Sequence, residues 1–394
     1  MSRVLSRPKL RDGLFFCGIV LMLFALLRLP AQSVAAARDG IGLCLNVILP
    51  SLFPFFVLSS LCVELGVIQR LGSLMGRVME PLFRVNGSCA GAFLLGILGG
   101  YPVGARTAIA LYQSGDCTRS EAERLLSFCN NSGPAFILGV VGAGIFSSSR
   151  AGLLLYGAHV ASSVLVGLVF RFYGGHSPSP SCPGVSPASG RPFSQALIVS
   201  LRQAIQASGN ICGFVVFFTV VIRLLFYSGV ISGAAAVLTW LLQGLGMHQD
   251  WAESLLTGAI EMTSGVWSLR DAAGAMGDKL CMAAFILGWA GLSVHCQVLS
   301  FIGTSGLSPK TYFFGKLLHG VLSAGLIFLI SRFLGWNAPL SAYLATQVST
   351  IAGLQFPQAL TLSTLAAGAI WLALAGISLV IPGNSSGNPR GKHV

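Results

Sequence analysis

Residues 85–112 read VNGSCAGAFLLGILGGYPVGARTAIALY, an apolar run with Arg106 as its one charge and long enough to cross a bilayer, yet unable to continue as one helix. Pro102 has no N–H and disfavours helical geometry in Tyr101, so the carbonyl of Leu98 loses its partner. Gly99 and Gly100 free the backbone from ordinary steric limits beside it. The spacing predicts a helix break over Gly99–Gly104. The next apolar run repeats the device with Asn130-Asn131-Ser132-Gly133-Pro134, where Pro134 frees the carbonyl of Asn130. Hydrocarbon penalises each unpaired polar group by several kcal/mol, so this cluster must face protein or water. Broken membrane helices present half-helix N-termini, whose positive dipole ends suit an anionic group. Arg106, one turn past the first break, would add a fixed positive charge.

The rest of the 394 residues agrees with a membrane setting. Apolar residues make up 54% of the chain, charged residues 9%, and mean hydropathy is +0.78. Ordinary globular chains carry about 25% charged residues, so a soluble fold would lack the polar material to coat its surface. Uncharged stretches of spanning length recur from 14–27 to 317–331 and again over 333–389. At roughly 20 residues per crossing they predict an all-α polytopic membrane protein with roughly ten transmembrane helices. Arg3, Arg7, Lys9 and Arg11 precede the first stretch and predict a cytoplasmic N-terminus. The same pattern fits a signal peptide with Pro30-Ala31 near its cleavage point.

The formal net charge of +12 comes from 24 basic and 12 acidic residues. The basic residues stand singly between apolar runs, which fits loops and lipid headgroups and excludes nucleic acid as the expected partner. Ten cysteines form no C-x-x-C pair and argue for neither a disulfide framework nor a zinc site. There is no G-x-x-x-x-G-K-[ST] loop, H-E-x-x-H or G-x-S-x-G motif, so neither an enzyme nor a cofactor is expected.

Weak internal similarity divides the chain. Gly66-Val67-Ile68 matches Gly229-Val230-Ile231, Ile97 to Pro102 lies against Ile260 to Gly265, Gly133 against Gly291, and His159 against His319. The nearly constant offset predicts a duplication: 1–39 as an N-terminal segment with the first helix, 40–173 as one repeat, 174–202 as a Pro/Ser/Gly-rich linker, 203–335 as the second repeat, and 336–394 as a C-terminal span and tail. Whether the copies run parallel or inverted depends on whether 70–84 crosses the membrane, and its charges suggest an interfacial amphipathic segment instead.

The second copy offers Glu261, Thr263, Ser264 and Gly265, then Gly291, Ser293, His295 and Gln297. Glu261 and His295 are ionisable groups in apolar surroundings, which makes them candidates for proton or ion coupling. An ion pair between Glu261 and Arg270 is the structural alternative. His159 and His319 read as packing histidines. Pro50 and Pro54 share a helix face, with Asn46 a turn earlier, and predict a bend. Thr118-x-x-Glu121 and Ser120-x-x-Glu123 each fit a capping box that opens a helix between the first two breaks.

Three segments carry a resemblance: LPSLFPFFVLSSL (49–61), GGYPVGARTAIALYQSGDCTRSEAERLLSFCNNSGPAFILGVVGAGIF (99–146), and GWAGLSVHCQVLSF with YFFGKLLHG (288–301 and 312–320). They resemble the YlbJ-type sporulation integral membrane proteins of the nucleoside-recognition or Gate group, over roughly residues 40–335. That group also includes sporulation maturation proteins, ferrous-iron transporter membrane domains and concentrative nucleoside transporters. The resemblance implies a bacterial multi-pass protein of the mother-cell or outer forespore membrane that moves a small anionic metabolite such as dipicolinate. Possible partners are a second copy or other sporulation membrane proteins. In this reading Gly99, Gly100, Pro102, Arg106, Asn130, Asn131, Ser132, Gly133, Pro134, Thr263, Ser264, Ser293 and Gln297 bind the solute. A non-transporting scaffold in the spore envelope and a nucleoside transporter stay open as alternatives, because Gate domains share architecture rather than substrate.

Overall fold

The computed structural model describes residues 8–174 and 192–334. Every secondary-structure element among them is helical. The chain opens with α1 (Pro8–Arg28) and α2 (Pro30–Leu43), and α2 runs through a π-helical turn at Cys44–Ile48 into α3 (Leu49–Glu64). That π turn contains Asn46 and stands immediately before Pro50, the place where a proline's missing N–H disturbs the hydrogen-bond ladder. The expected bend is therefore taken up as a widened turn within one continuous 35-residue helical stretch.

From there the elements recur in the same order twice. The first series is α4 (Val67–Phe83), α5 (Ala90–Gly99), α6 (Val103–Gln113), α7 (Arg119–Phe128), a π-helical segment (Ala135–Ile145) and α8 (Ser149–Phe170). A long helix, α9 (Phe193–Tyr227), separates it from the second series. That series is α10 (Val230–Leu242), α11 (Gln249–Ile260), α12 (Met262–Ser268), α13 (Met276–Trp289), α14 (Gly291–Ser305) and α15 (Lys310–Leu334). The matched glycines open the two series alike: Gly66 precedes α4 at φ +75° and Gly229 precedes α10 at φ +74°. In each series the first break folds back as a hairpin, α5 on α6 and α11 on α12.

Five helical stretches are long and apolar enough to cross a membrane: Pro30–Glu64, Ser149–Phe170, Phe193–Tyr227, Met276–Ser305 and Lys310–Phe333. Met75–Phe83 and Gly87–Gly99, bent by 108°, make a sixth if taken together. The protein is thus an all-helical, multi-pass membrane protein. Five or six spans replace the expected ten among the described residues, because much of the apolar sequence goes into half-length helices that end at the breaks. The tail 336–394, with its expected last span, lies outside the described residues. So does 175–191 of the expected linker, whose final residues 193–202 already belong to α9.

One of the two overlapping capping boxes forms. The Thr118 side chain accepts from Glu121 N–H, and the Glu121 carboxylate accepts from Thr118 N–H at 2.8 Å. Glu123, freed from that duty, ties the start of α7 to the loop before α15 by accepting from Ser308 N–H at 3.0 Å and from Arg119 Nε at 3.0 Å. Burial alone pushes the Glu123 carboxyl up, but the Ser308 amide, Arg119 and Tyr173 outweigh it and hold the group below its ordinary range. Helix α15 then packs on α7, α8 and α13, so it joins the two series.

Candidate functional site

The four breaks touch in pairs. A Cβ on Gly100 (φ +75°) would come 3.1 Å from Gly133 N, and one on Gly133 would come 3.2 Å from Gly100 N, so the first two breaks meet backbone to backbone. The second pair repeats this. Gly291 takes φ +78°, and a Cβ there would lie 3.0 Å from Met262 N. A Cβ at these distances would press on the facing backbone, and Gly100 and Gly291 take φ near +75° without the steric cost another residue would meet.

Both pairs open on one cavity of about 60 Å³. Its wall includes Gly99, Gly100, Ser132, Gly133, Glu261, Thr263, Ser293 and Gln297 from the breaks, with Tyr101 beside them. Phe55 and Phe56 of α3, Phe136, and Phe214 of α9 add aromatic surface to the wall. The volume admits a few waters and falls far below the 300–1,000 Å³ of a typical ligand pocket, so the walls must part before a metabolite enters. A wider, open cavity of about 800 Å³ lies on another face of α12, where Ser264 joins Asp39, Arg223, Asp250, Glu253 and Asp271. Arg223 donates to Asp39 there at 2.7 Å.

Several expected residues stand elsewhere. Pro102 and Pro134 sit at the helix starts just past the breaks, as N-caps of α6 and of the π-helical segment. Asn131 is buried behind the cavity, where its amide donates to Phe128 O at 2.9 Å and Ser163 Oγ at 3.2 Å, pinning the unwound turn. Asn130 is buried against Tyr312. His295 is buried with Nδ1 2.9 Å from the Tyr312 hydroxyl and its ring edge-on to Trp289, outside the cavity wall. Arg106 is exposed and outside the cavity wall, which corrects its expected position beside the solute. A long basic side chain on a half-helix has two faces to choose from, and the other is filled by buried Gly104, Ala105 and Ala108.

Glu261 lines the cavity, but its carboxylate is engaged. Oε1 accepts from Thr263 N–H at 3.0 Å and Oε2 from Ser264 N–H at 2.6 Å, so the residue caps α12. The expected free N-terminus of that half-helix is thus neutralised by the chain itself. The structural alternative of a pair with Arg270 does not form, since Arg270 stacks over Trp267 at 5.6 Å. The N-termini of the π-helical segment and of α14 have no side-chain cap, and their first turns, at Ala135 and Phe136 and at Ser293 and Val294, line the cavity.

The positive charge of this region belongs to Lys316 of α15. It is 1% exposed, and Nζ donates to the Tyr101 hydroxyl at 2.8 Å and to the carbonyl of Asn130 at 3.0 Å, with His319 Nδ1 at 3.5 Å. The Tyr101 hydroxyl in turn donates a hydrogen bond to Leu287 O at 2.9 Å. His319 Nε2 meets the carbonyl of His159 at 2.9 Å, and the two imidazoles stack with centroids 4.2 Å apart. His159 Nε2 in turn accepts from Ser132 N–H at 3.0 Å. The two histidines read as packing residues are therefore members of a polar network. The available signal was a lone lysine in the apolar segment FFGKLLHG, an expensive position for a charge. Starting the apolar stretch at 317 left it outside the span.

Residues 45–175 match the Gate family, described as "Nucleoside recognition". The chain is 30% identical over 329 residues to the sporulation integral membrane protein YlbJ of Bacillus subtilis (strain 168), covering 79% of this chain and 81% of that protein. Among solved structures it is similar to a CNTnw variant in an outward-facing state, with TM-score 0.48, 15% identity, and coverage of 82% of this chain and 88% of that one. It is also similar to CNTnw in an inward-facing substrate-bound state, with TM-score 0.47, 16% identity, and coverage of 83% and 87%. On the sequence match, the chain belongs to the YlbJ family of sporulation integral membrane proteins.

Proposed function

We propose that this protein is a secondary transporter or facilitator for a small anionic metabolite, working by alternating access between two homologous repeats, 40–173 and 203–335. The observation that carries the reading is that four helix breaks, two from each series, line a single cavity. Transporter sites typically lie where internal repeats meet and where broken helices turn their ends inward.

The uncapped N-termini of the π-helical segment and of α14 favour negative charge in the cavity, and Lys316 adds a positive charge behind Tyr101. Ser132, Ser293, Thr263 and Gln297 would orient the solute, while Asn130 and Asn131 hold the turn behind it. Glu261 faces the cavity from another wall, so an anion turns its carboxylates toward the two free helix ends. In a spore-forming cell dipicolinate is the first metabolite to test, and the mother-cell or outer forespore membrane is the setting that the family suggests.

The test is uptake and binding with purified protein in proteoliposomes, using radiolabelled dipicolinate with uridine as competitor. Saturable dipicolinate uptake should fall about fivefold in Ser132→Ala and Ser293→Ala, the loss of roughly one hydrogen bond each. Displacement by uridine would redirect the reading to nucleosides. Absence of saturable binding or uptake of either compound would overturn transport in favour of a scaffold.

A further inference from the structure

Lys316 is a buried cation whose surroundings fit a proton. Its three neighbours are all acceptors. The Tyr101 hydroxyl already donates its hydrogen to Leu287 O, the Asn130 carbonyl can only accept, and His319 Nδ1 presents a lone pair because Nε2–H faces the His159 carbonyl. An ammonium supplies three donors and satisfies all three, whereas a neutral amine has two N–H groups and leaves one acceptor unmet. The three acceptors also sit at strategic places: Tyr101 lies in the first break, Asn130 in the second, and His319 on α15 against His159 of α8.

Among the described residues, no carboxylate faces this ammonium from the elements packed around it. Just past α7 the nearby group is Cys129, from α8 it is His159, from α14 His295, and from its own helix Tyr312 and His319. On α13, Asp278, Lys279 and Cys281 all lie in the first two turns, whereas Leu287, near its far end, meets Tyr101. Glu123 of α7 is bound to Ser308, eight residues before Lys316, or about 12 Å along a helix. Hydrogen bonds complete without a counter-charge hold a cation conditionally, since an unpaired buried charge is expensive.

We infer that Lys316 is the proton-binding switch of the cavity: its ammonium clamps the first two breaks together, and its neutral amine releases them. On release the N–H bond breaks, the electron pair stays on Nζ, and the proton goes to a water molecule that enters beside Tyr101 as the cavity wall parts. The switch reaches the cavity directly, because Tyr101 is in the wall and His159 accepts from Ser132, which is also in the wall. This inference rests on the transport reading for its purpose but not for its test.

The test is hydrogen–deuterium exchange of the full chain in nanodiscs, followed over residues 128–134 between about pH 5 and pH 9 and corrected for intrinsic exchange. In the native chain the corrected rate should rise at least about tenfold with pH as local opening becomes easier. Lys316→Arg, which keeps its charge, should stay slow throughout, and Lys316→Met should be fast throughout, with exchange in α8 unchanged as the control for folding. A native rate that does not depend on pH, or the native dependence persisting in Lys316→Met or Lys316→Arg, would overturn the switch. Failure of dipicolinate uptake with the switch intact would instead overturn only the proposed cargo.

Discussion

The two helical series solve one problem with opposite charges. Each has a hairpin break and a second break in close backbone contact, Gly100 against Gly133 and Gly291 against Met262. In the second series the exposed helix end is neutralised locally, by the Glu261 carboxylate on the amides of Thr263 and Ser264. In the first series the freed carbonyl of Asn130 is satisfied from a distance, by the ammonium of Lys316 on α15. A local cap works whenever its own helix forms. A remote donor makes the geometry of one series depend on a helix of the other.

The strongest way to break this comparison is to block the close packing on which the first series depends. Gly96 of α5 and Gly104 of α6 both press on the carbonyl of Cys129, and a Cβ on either would overlap that oxygen. Gly96→Ala should cost more than about 3 kcal/mol and largely abolish recovery of folded protein, as read by size-exclusion and thermal unfolding in detergent. A variant that retains native stability would mean that the α5–α6 hairpin does not clasp the second break.

The charge contrast itself is tested by comparing Glu261→Gln with Lys316→Met. Loss of a charged cap on two backbone amides should lower stability by about 1–2 kcal/mol in Glu261→Gln. Lys316→Met removes an expensive buried charge but also leaves the Asn130 carbonyl without its donor, and these opposing effects should leave stability within about 1 kcal/mol near neutral pH. Thermal unfolding of the two variants side by side checks the order, and the reverse order would mean that Lys316 is a structural tie.

Smaller effects sharpen the picture. Asn131→Ala removes the bonds to Phe128 O and Ser163 Oγ and should cost about 1 kcal/mol, because Ser163 Oγ still reaches Phe128 O at 2.8 Å. The smallest effect belongs to Glu123 at the start of α7. Its carboxyl is lowered from an ordinary value of 4.5, so the stability it contributes is present above that value and is lost as pH falls through the lower folded one. Melting curves of Glu123→Gln and the native chain should differ near pH 7 and converge in acid; a gap that persists there would assign the effect to packing.

The helix breaks were legible in the residues. Pro102, Pro134 and the glycines beside them announced the breaks, since a missing N–H and a missing Cβ act wherever the chain lies. Thr118 and Glu121 announced the helix start for the same local reason. Arg106 and Lys316 show where that legibility stops. Both are single basic residues in apolar segments, and their sequence contexts do not say which helix face meets protein. Glu261 is a third case, because its residue type marked a costly charge but only the fold revealed its partners as the next backbone amides.

Composition, hydropathy and the proline and glycine pattern by themselves determined a helical membrane protein with interrupted spans, because hydrocarbon forces each backbone group to be paired within its own segment. The tertiary structure alone decided that the interruptions share one cavity, that Lys316 rather than Arg106 stands behind its wall at Tyr101, and that Glu261 is already engaged. Those outcomes depend on contacts between residues as far apart as Tyr101 and Lys316, which no local pattern encodes.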